Sequence, residues 1–179
     1  MKMRKYGETG QRVSELGFGT WQLGNANKYE WGDTTQDPIR LVHSAIDLGV
    51  NFFDSALNYG QGASMECLGK ALVGKRNGVV INTKFGHNPD GEDFSHTALK
   101  EAVEKSLRIL KTDYIDSVLL HSPKIELCNG GSPLYPVFEE LVKEGKILAY
   151  GASLDDSQSM KELISTTQSG IVMPLYNIN

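Results

Sequence analysis

Short apolar runs alternate with amphipathic segments along the whole chain. The runs cover residues 13–20, 50–53, 79–83, 115–120, 147–151 and 171–175, and they begin roughly thirty residues apart, the length of a strand–helix–strand unit. Between them the pattern takes the 3.6-residue period of helices. Asp37 can cap the first helix, Pro38 suits its first turn, Leu41, Val42, Ala45 and Ile46 form its apolar face, and Gly49 supplies a left-handed stop. Ser64 opens a shorter helix carrying Leu68, Ala71 and Leu72, which Gly74 closes. The third stripe holds Leu99, Ala102, Val103, Ser106, Leu107 and Leu110; the fourth holds Val137, Phe138, Leu141 and Val142 before Gly145. A fifth follows Asp156 with Met160, Leu163 and Ile164.

Strands that are apolar on both faces and alternate with amphipathic helices imply a parallel sheet covered by helices. The doubly wound open sheet and the (β/α)8 barrel both satisfy this. The first strand–helix junction, Gly17-Phe18-Gly19-Thr20-Trp21, lacks the third glycine of a dinucleotide-binding turn and runs into a long loop. Ahead of it, residues 2–6 and 12–15 flank Gly7-Glu8-Thr9-Gly10-Gln11 and predict a β-hairpin. A TIM barrel with a hairpin plugging its bottom is therefore the leading α/β architecture. Such barrels need about 250 residues, whereas this chain has 179 and six countable strands. The expectation is one partial barrel domain over residues 1–179, incomplete at about six βα units.

Composition removes several function classes. With 40% hydrophobic and 22% charged residues the chain is an ordinary globular sequence. It contains no run of the eighteen or more apolar residues a membrane helix needs, and its charged start has no apolar stretch behind it, so neither a membrane role nor a secretory signal is expected. Eighteen basic against 22 acidic residues give a net charge of −4 without a basic cluster, which argues against nucleic acid as partner. Cys67 and Cys128 stand alone, with no CxxC, so a reducing cytoplasm fits best.

Function in α/β folds of this kind sits at the carboxyl ends of the strands. Asp54 follows Asn51-Phe52-Phe53, Lys84 follows the run 79–83, and His121 follows Val118-Leu119-Leu120. Three successive strands thus deliver an acid, a base and an imidazole to one rim, and Tyr59-Gly60 adds a phenol just beyond the first. Each has an ordinary explanation taken singly: a loop carboxylate, a solvated lysine, a hydrogen-bonded histidine, a turn tyrosine. Their joint placement suits proton transfer to an oxygen that becomes an alkoxide. A tyrosine titrates near 10, and an ammonium about 4 Å away at an effective dielectric of about 20 favours the phenolate by up to about 4 kcal/mol. Asp54 would hold Lys84 charged and in place, and His121 would hydrogen-bond the substrate oxygen. No serine elbow, HExxH or P-loop offers a competing mechanism, and a hydride must come from a cofactor, because no side chain can donate one.

At these residues the chain resembles the aldo-keto reductase family. The likeness lies in Lys5-Tyr6-Gly7-Glu8-Thr9-Gly10, in Val13-Ser14-Glu15-Leu16-Gly17-Phe18-Gly19-Thr20-Trp21, and in Gly49-Val50-Asn51-Phe52-Phe53-Asp54-Ser55-Ala56-Leu57-Asn58-Tyr59-Gly60. Leu68-Gly69-Lys70-Ala71-Leu72, Thr83-Lys84, residues 107–116, Leu119-Leu120-His121 and Gly151-Ala152-Ser153 continue it in family order. The resemblance covers the whole chain and the first three-fifths or so of a typical member. It implies NADP(H)-dependent reduction of aldehydes or ketones, or sugar oxidation in reverse, with NAD(H) as the alternative cofactor. The family's catalytic set falls on Asp54, Tyr59, Lys84 and His121, with Tyr59 as general acid. Gly19, Thr20, Trp21 and Asp54 would border the nicotinamide and Ser153 its carboxamide. Two positions depart: Leu154 stands where members commonly carry Asn, and Met173 where they carry Gln. The family's phosphate contacts lie after a seventh and eighth strand, so weak cofactor binding by this chain alone is expected.

The second reading is a catalytically silent barrel fragment with at most an association role, its open sheet edges pairing with another chain. Gly60-Gln61-Gly62 and Cys128-Asn129-Gly130-Gly131-Ser132 are read as mobile loops. No metal site is expected from His87 and His96, and no cation beside Cys128 marks it as a reactive thiol. Trp21 and Trp31 suit either an aromatic wall or lid packing.

Overall fold

The computed structural model describes residues 1–24, 37–88 and 91–176; Trp31 lies outside them. The chain opens with a hairpin of β1 (Met3–Lys5) and β2 (Arg12–Ser14), antiparallel with Met3 opposite Ser14. Then follow β3 (Phe18–Gly19), α1 (Pro38–Asp47), β4 (Phe52–Asp54), α2 (Ala63–Ala71) and β5 (Val80–Phe85). The short pair β6 (His87–Asn88) and β7 (Gly91–Glu92) precedes α3 (His96–Leu110), β8 (Ile115–His121), α4 (Leu134–Lys143), β9 (Ile147–Leu154), α5 (Ser157–Thr166) and β10 (Ile171–Pro174). Six of these strands pair in parallel in the order β10-β9-β8-β5-β4-β3. The sheet order follows the chain order, as each right-handed crossover through a helix requires, and the result is a parallel half-barrel. Among the described residues no helix is long and apolar enough to cross a membrane.

Two apolar clusters fill the two faces of this sheet. The larger lies between sheet and helices and includes Phe53, Ile81, Phe85, Val118, Leu120, Ala152 and Leu154 from the strands. The smaller lies on the inner face near the strand beginnings, where Val80, Leu119, Ala149 and Ile171 meet Tyr6 of the hairpin, with Phe52 and Met173 packed against them. Side chains alternate between faces along each strand, so Asp54, Lys84, His121 and Ser153 project inward at the opposite end. The inner surface thus grades from apolar at the hairpin to polar at the mouth. Gly151 allows β10 to approach: a Cβ there would stand 1.7 Å from the Ile171 carbonyl oxygen.

The base of the sheet is fastened by a buried charge. Asp116 is fully buried and accepts from Arg76 Nη2 at 2.7 Å, Ile81 N at 2.8 Å and Gln11 Nε2 at 2.5 Å. One carboxylate therefore joins β5, β8 and the hairpin, and its partners satisfy it, as a buried carboxylate requires.

Several expectations need correction. The run 13–20 is not one strand: residues 12–14 belong to the hairpin and 18–19 to the parallel sheet, with a bend between. In α1, Asp37 caps by accepting from Ile39 N at 3.0 Å and Val42 and Ala45 are buried, but Leu41 is exposed and Ile39 takes its place against the core. Positions 39, 42 and 46 share a face; 41 falls at its margin. Val142 and Ile164 are likewise at the margins of their helices and exposed. Ser64 does not cap α2. Gly62, in the left-handed region, precedes that helix, and Ser64 turns inward, donating toward both Thr20 O at 2.6 Å and Thr20 Oγ1 at 2.8 Å.

Candidate active site

Asp54 closes β4, Lys84 lies one residue before the end of β5, and His121 closes β8. Parallel pairing in register brings these three ends to one rim. Tyr59 begins the 3-10 turn Tyr59–Gly62, in which Gly60 and Gln61 both adopt left-handed backbone angles. A Cβ on Gly60 would meet the Gly24 carbonyl oxygen at 2.5 Å. The glycine-rich segment expected as a loop is therefore a tight turn seated on the first loop, and it fixes where the Tyr59 ring begins.

Lys84 is the hub. It is 4% exposed and donates to Asp54 Oδ1 at 2.6 Å, Asp54 Oδ2 at 2.5 Å and Tyr59 Oη at 3.2 Å. A charge buried this deeply requires a paired and hydrogen-bonded partner, and Asp54 supplies one. Because Lys84 donates to the phenol oxygen, the proton of Tyr59 is left to point away from the lysine. Across the mouth the His121 ring lies edge-on to Tyr59, with centroids 5.8 Å apart. Trp21 stands on the other side of Tyr59 at 6.3 Å and keeps 47% of its surface exposed.

Burial lowers the His121 pKa to about 4, helped by the Lys84 and His87 charges and opposed by Asp155. The imidazole is neutral at pH 7 and has one N–H. Among the described residues its buried Nδ1 has no hydrogen-bond partner, so the tautomer with the proton on Nε2 leaves no buried N–H without an acceptor. This carries a pH prediction. Unfolded histidine titrates near 6.5, so between pH 6.5 and 4 the unfolded chain binds a proton that the native chain refuses. His121 thus contributes stability that is complete above about 6.5 and is lost as pH falls toward 4. Urea unfolding of the parent should weaken over that window more steeply than that of His121→Asn, by at most about 1.4 kcal/mol per pH unit; parallel curves would refute it.

The other expected site residues fall as follows. Gly19 is in register with Asp54, and among the described residues a Cβ on it would meet nothing within 4 Å. Thr20 is fully buried; its hydroxyl donates to Asp54 O at 3.0 Å and accepts from Ser64, so its side chain braces the loop. Ser153 pairs with His121 on one side and Met173 on the other, on the inner face. Leu154 points the opposite way and is 2% exposed in the helix-side core. Burial lifts the Cys128 thiol to about 11. Among the described residues no three metal-ligating side chains gather.

Three participants escaped the motif reading. His87 packs edge-on against His121 at 4.9 Å and borders a cleft of about 240 Å3 that also meets Gln61, Asp93, Glu101 and Lys105. Asn82 and Ser117 are both fully buried on the inner face beneath the ion pair. The available signal was parity: Asn82 lies two residues before Lys84, and Ser117 four before His121, each in an apolar strand.

The pattern describing the Aldo/keto reductase family matches residues 15–178. The uncharacterized oxidoreductase YqkF of Bacillus subtilis is 33% identical over 99% of this chain and 57% of its own length. The holo form of aldo-keto reductase AKR11C1 from Bacillus halodurans superposes with a TM-score of 0.83 at 36% identity, covering 98% of this chain and 58% of that one. An aldo-keto reductase from Klebsiella pneumoniae, solved in complex with NADPH, gives a TM-score of 0.72 at 32% identity, covering 93% and 54%. The chain therefore spans little more than half the length of the curated relative and solved structures it matches.

Proposed function

This chain belongs to the aldo/keto reductase family, and we propose that it carries the proton-donating side of a nicotinamide-dependent carbonyl reductase, with Tyr59 as the general acid. The observation that carries this reading is Lys84, buried between Asp54 and Tyr59 and donating to both, with His121 across the same mouth.

The residues present fit a nicotinamide ring. Gly19 leaves open space beside Asp54, Trp21 offers an exposed aromatic surface, and Ser153 lies on the inner face in register with His121. Gly19, Trp21 and Ser153 would hold the ring there, with the Thr20 main chain bordering it. When bound, NADPH supplies the hydride that the carbonyl carbon receives; the structure with NADPH from Klebsiella pneumoniae supports that cofactor, and NAD(H) is the alternative. The chain's own residues handle the oxygen. His121 donates Nε2–H to the carbonyl oxygen and sets its angle. Tyr59 gives its Oη proton to that oxygen as negative charge develops on it. Lys84 stabilises the charge left on Oη, and Asp54 holds Lys84 in place.

Substrates of this reading are small aldehydes, ketones or aldoses, or sugars in the oxidative direction. Met173, opposite Ser153 on the inner face, removes one amide contact to the carboxamide, worth about 0.5–1.5 kcal/mol, so Ser153 would bear more of that contact; Leu154, turned into the helix-side core, does not face it. The outer edges of β3 and β10 are where further strands, from the rest of a barrel or a second copy, would pair. Cys67 and Cys128 are free and buried, in keeping with a reducing cytoplasm. The test is turnover with NADPH and glyceraldehyde, expected to consume one NADPH per alcohol formed. A folded, cofactor-saturated protein that consumes none would overturn the reading in favour of a silent barrel segment.

A further inference from the structure

Beneath the ion pair, a line of hydrogen bonds crosses the inner face from the mouth to the hairpin plug. Asn82 Nδ2 donates to Asp54 Oδ1 at 2.6 Å, Ser117 Oγ donates to Asn82 Oδ1 at 2.5 Å, and Tyr6 Oη lies 2.6 Å from Ser117 Oγ. Asn82 and Ser117 are fully buried and Tyr6 nearly so. With the Lys84 bonds the line runs Tyr6–Ser117–Asn82–Asp54–Lys84–Tyr59.

The direction of every proton in it follows from chemistry. An ionised carboxylate only accepts, so the Asn82 amide must turn its NH2 toward Asp54 and its carbonyl toward Ser117. The Ser117 hydroxyl has one proton, which that carbonyl takes. Tyr6 must therefore donate to Ser117. Burial raises the Tyr6 phenol well above its ordinary range, which keeps it protonated for that task. The line is polarised toward Asp54 from one end and by Lys84 from the other. An amide does not readily pass protons, so the line fixes position rather than conducting.

We propose that Asn82 is a positioning residue for carbonyl reduction: it fixes the Asp54 carboxylate beneath Lys84, and Ser117 and Tyr6 anchor it to the hairpin plug. The inference rests on the proposed function of the site. Asp54 has only two side-chain oxygens, and Lys84 reaches both. The orientation of the carboxylate therefore decides whether the ammonium also reaches Tyr59 Oη. Asn82 is the neutral donor that fixes that orientation without adding charge. The charged groups around it are Asp54 and Lys84 toward the mouth and Asp116 with Arg76 toward the base.

Two substitutions separate positioning from packing. Asn82→Leu keeps the branched outline, with bulkier methyl ends, but cannot donate, and kcat should fall roughly 10- to 100-fold, the size of a lost hydrogen bond to a charged group, with little change in KM for NADPH. Asn82→Asp is isosteric and sets two carboxylates side by side, so the pair retains a proton at pH values where an isolated carboxyl has lost it. While protonated it donates as Asn82 does. Its kcat relative to the parent should therefore climb as pH falls and approach the Asn82→Leu level as pH rises. Should Asn82→Leu fail to fold, Ser117→Ala takes its place, with a loss of roughly 3- to 10-fold. Parent-shaped pH profiles and undiminished kcat in the folded variants would overturn the proposal and leave Asn82 a packing residue. Tyr59→Phe assayed alongside separates the two layers: if it keeps full turnover, Tyr59 is not the acid, and the reading of the site on which the positioning role rests fails with it. If it loses turnover while the Asn82 variants match the parent, the positioning role of Asn82 alone fails.

Discussion

Replacing Tyr59 by phenylalanine should lower kcat for carbonyl reduction by roughly 10^2- to 10^4-fold, the range in which a positioned general acid contributes, while NADPH affinity stays near that of the parent. The ring contacts with Trp21 and His121 survive this change, and only the hydroxyl is lost. His121 cannot substitute as the acid. With a pKa of about 4, its imidazolium is present in only about one molecule in a thousand at pH 7, too few to supply the proton at a useful rate. The phenol is the donor placed both on the lysine and at the mouth. Steady-state kinetics with NADPH and glyceraldehyde, beside a direct NADPH titration, check this. Unchanged kcat in Tyr59→Phe would remove Tyr59 from the acid role.

Lys84→Met is expected to be nearly as damaging. Loss of a preorganised charge beside developing negative charge typically lowers kcat by about 10^2- to 10^3-fold, and the same substitution strips Asp54 of its buried partner. Breaking one side of a buried pair costs about 3–5 kcal/mol when nothing else compensates. Asn82 still donates to Asp54 and the carboxylate keeps 19% of its side-chain surface exposed, so the loss of stability should fall short of that range. Kinetics and urea unfolding of one variant thus read two roles of Lys84. A Lys84→Met protein with parental kcat would show that the ammonium does not act on Tyr59.

The rim that carries Asp54, Lys84 and His121 was legible because parallel strands end where their apolar runs end. Asp54, Lys84 and His121 follow such runs, and pairing in register brings them together whatever the exact helix boundaries. The hairpin was legible from its glycine-containing turn, where Gly7 and Gly10 have positive φ. What stayed hidden has physical causes. Ser64 carries a good capping chemistry, yet Gly62, two residues earlier, takes the cap position and a buried threonine draws the serine inward. Leu41 and Ile164 are apolar, but a helix on a curved sheet buries a narrow stripe, and both lie at its margin. Asn82 and Ser117 were read as strand interior because runs are scored for apolarity, and a single polar residue inside one gives no sign of its partner on another strand. Only pairing, which brings Asn82 opposite Ser117 in adjacent strands, makes them a unit.

The proposed reaction is hydride transfer to a carbonyl carbon with the proton supplied at Tyr59. Its most direct test is the fate of label when the protein turns over glyceraldehyde with NADPH carrying deuterium at the transferring nicotinamide carbon in ordinary water. The expected product is an alcohol with one deuterium on its carbinol carbon, with transfer greatly slowed in Tyr59→Phe. Alcohol free of deuterium at that carbon, formed with label that transfers from neither face of the ring, would contradict it.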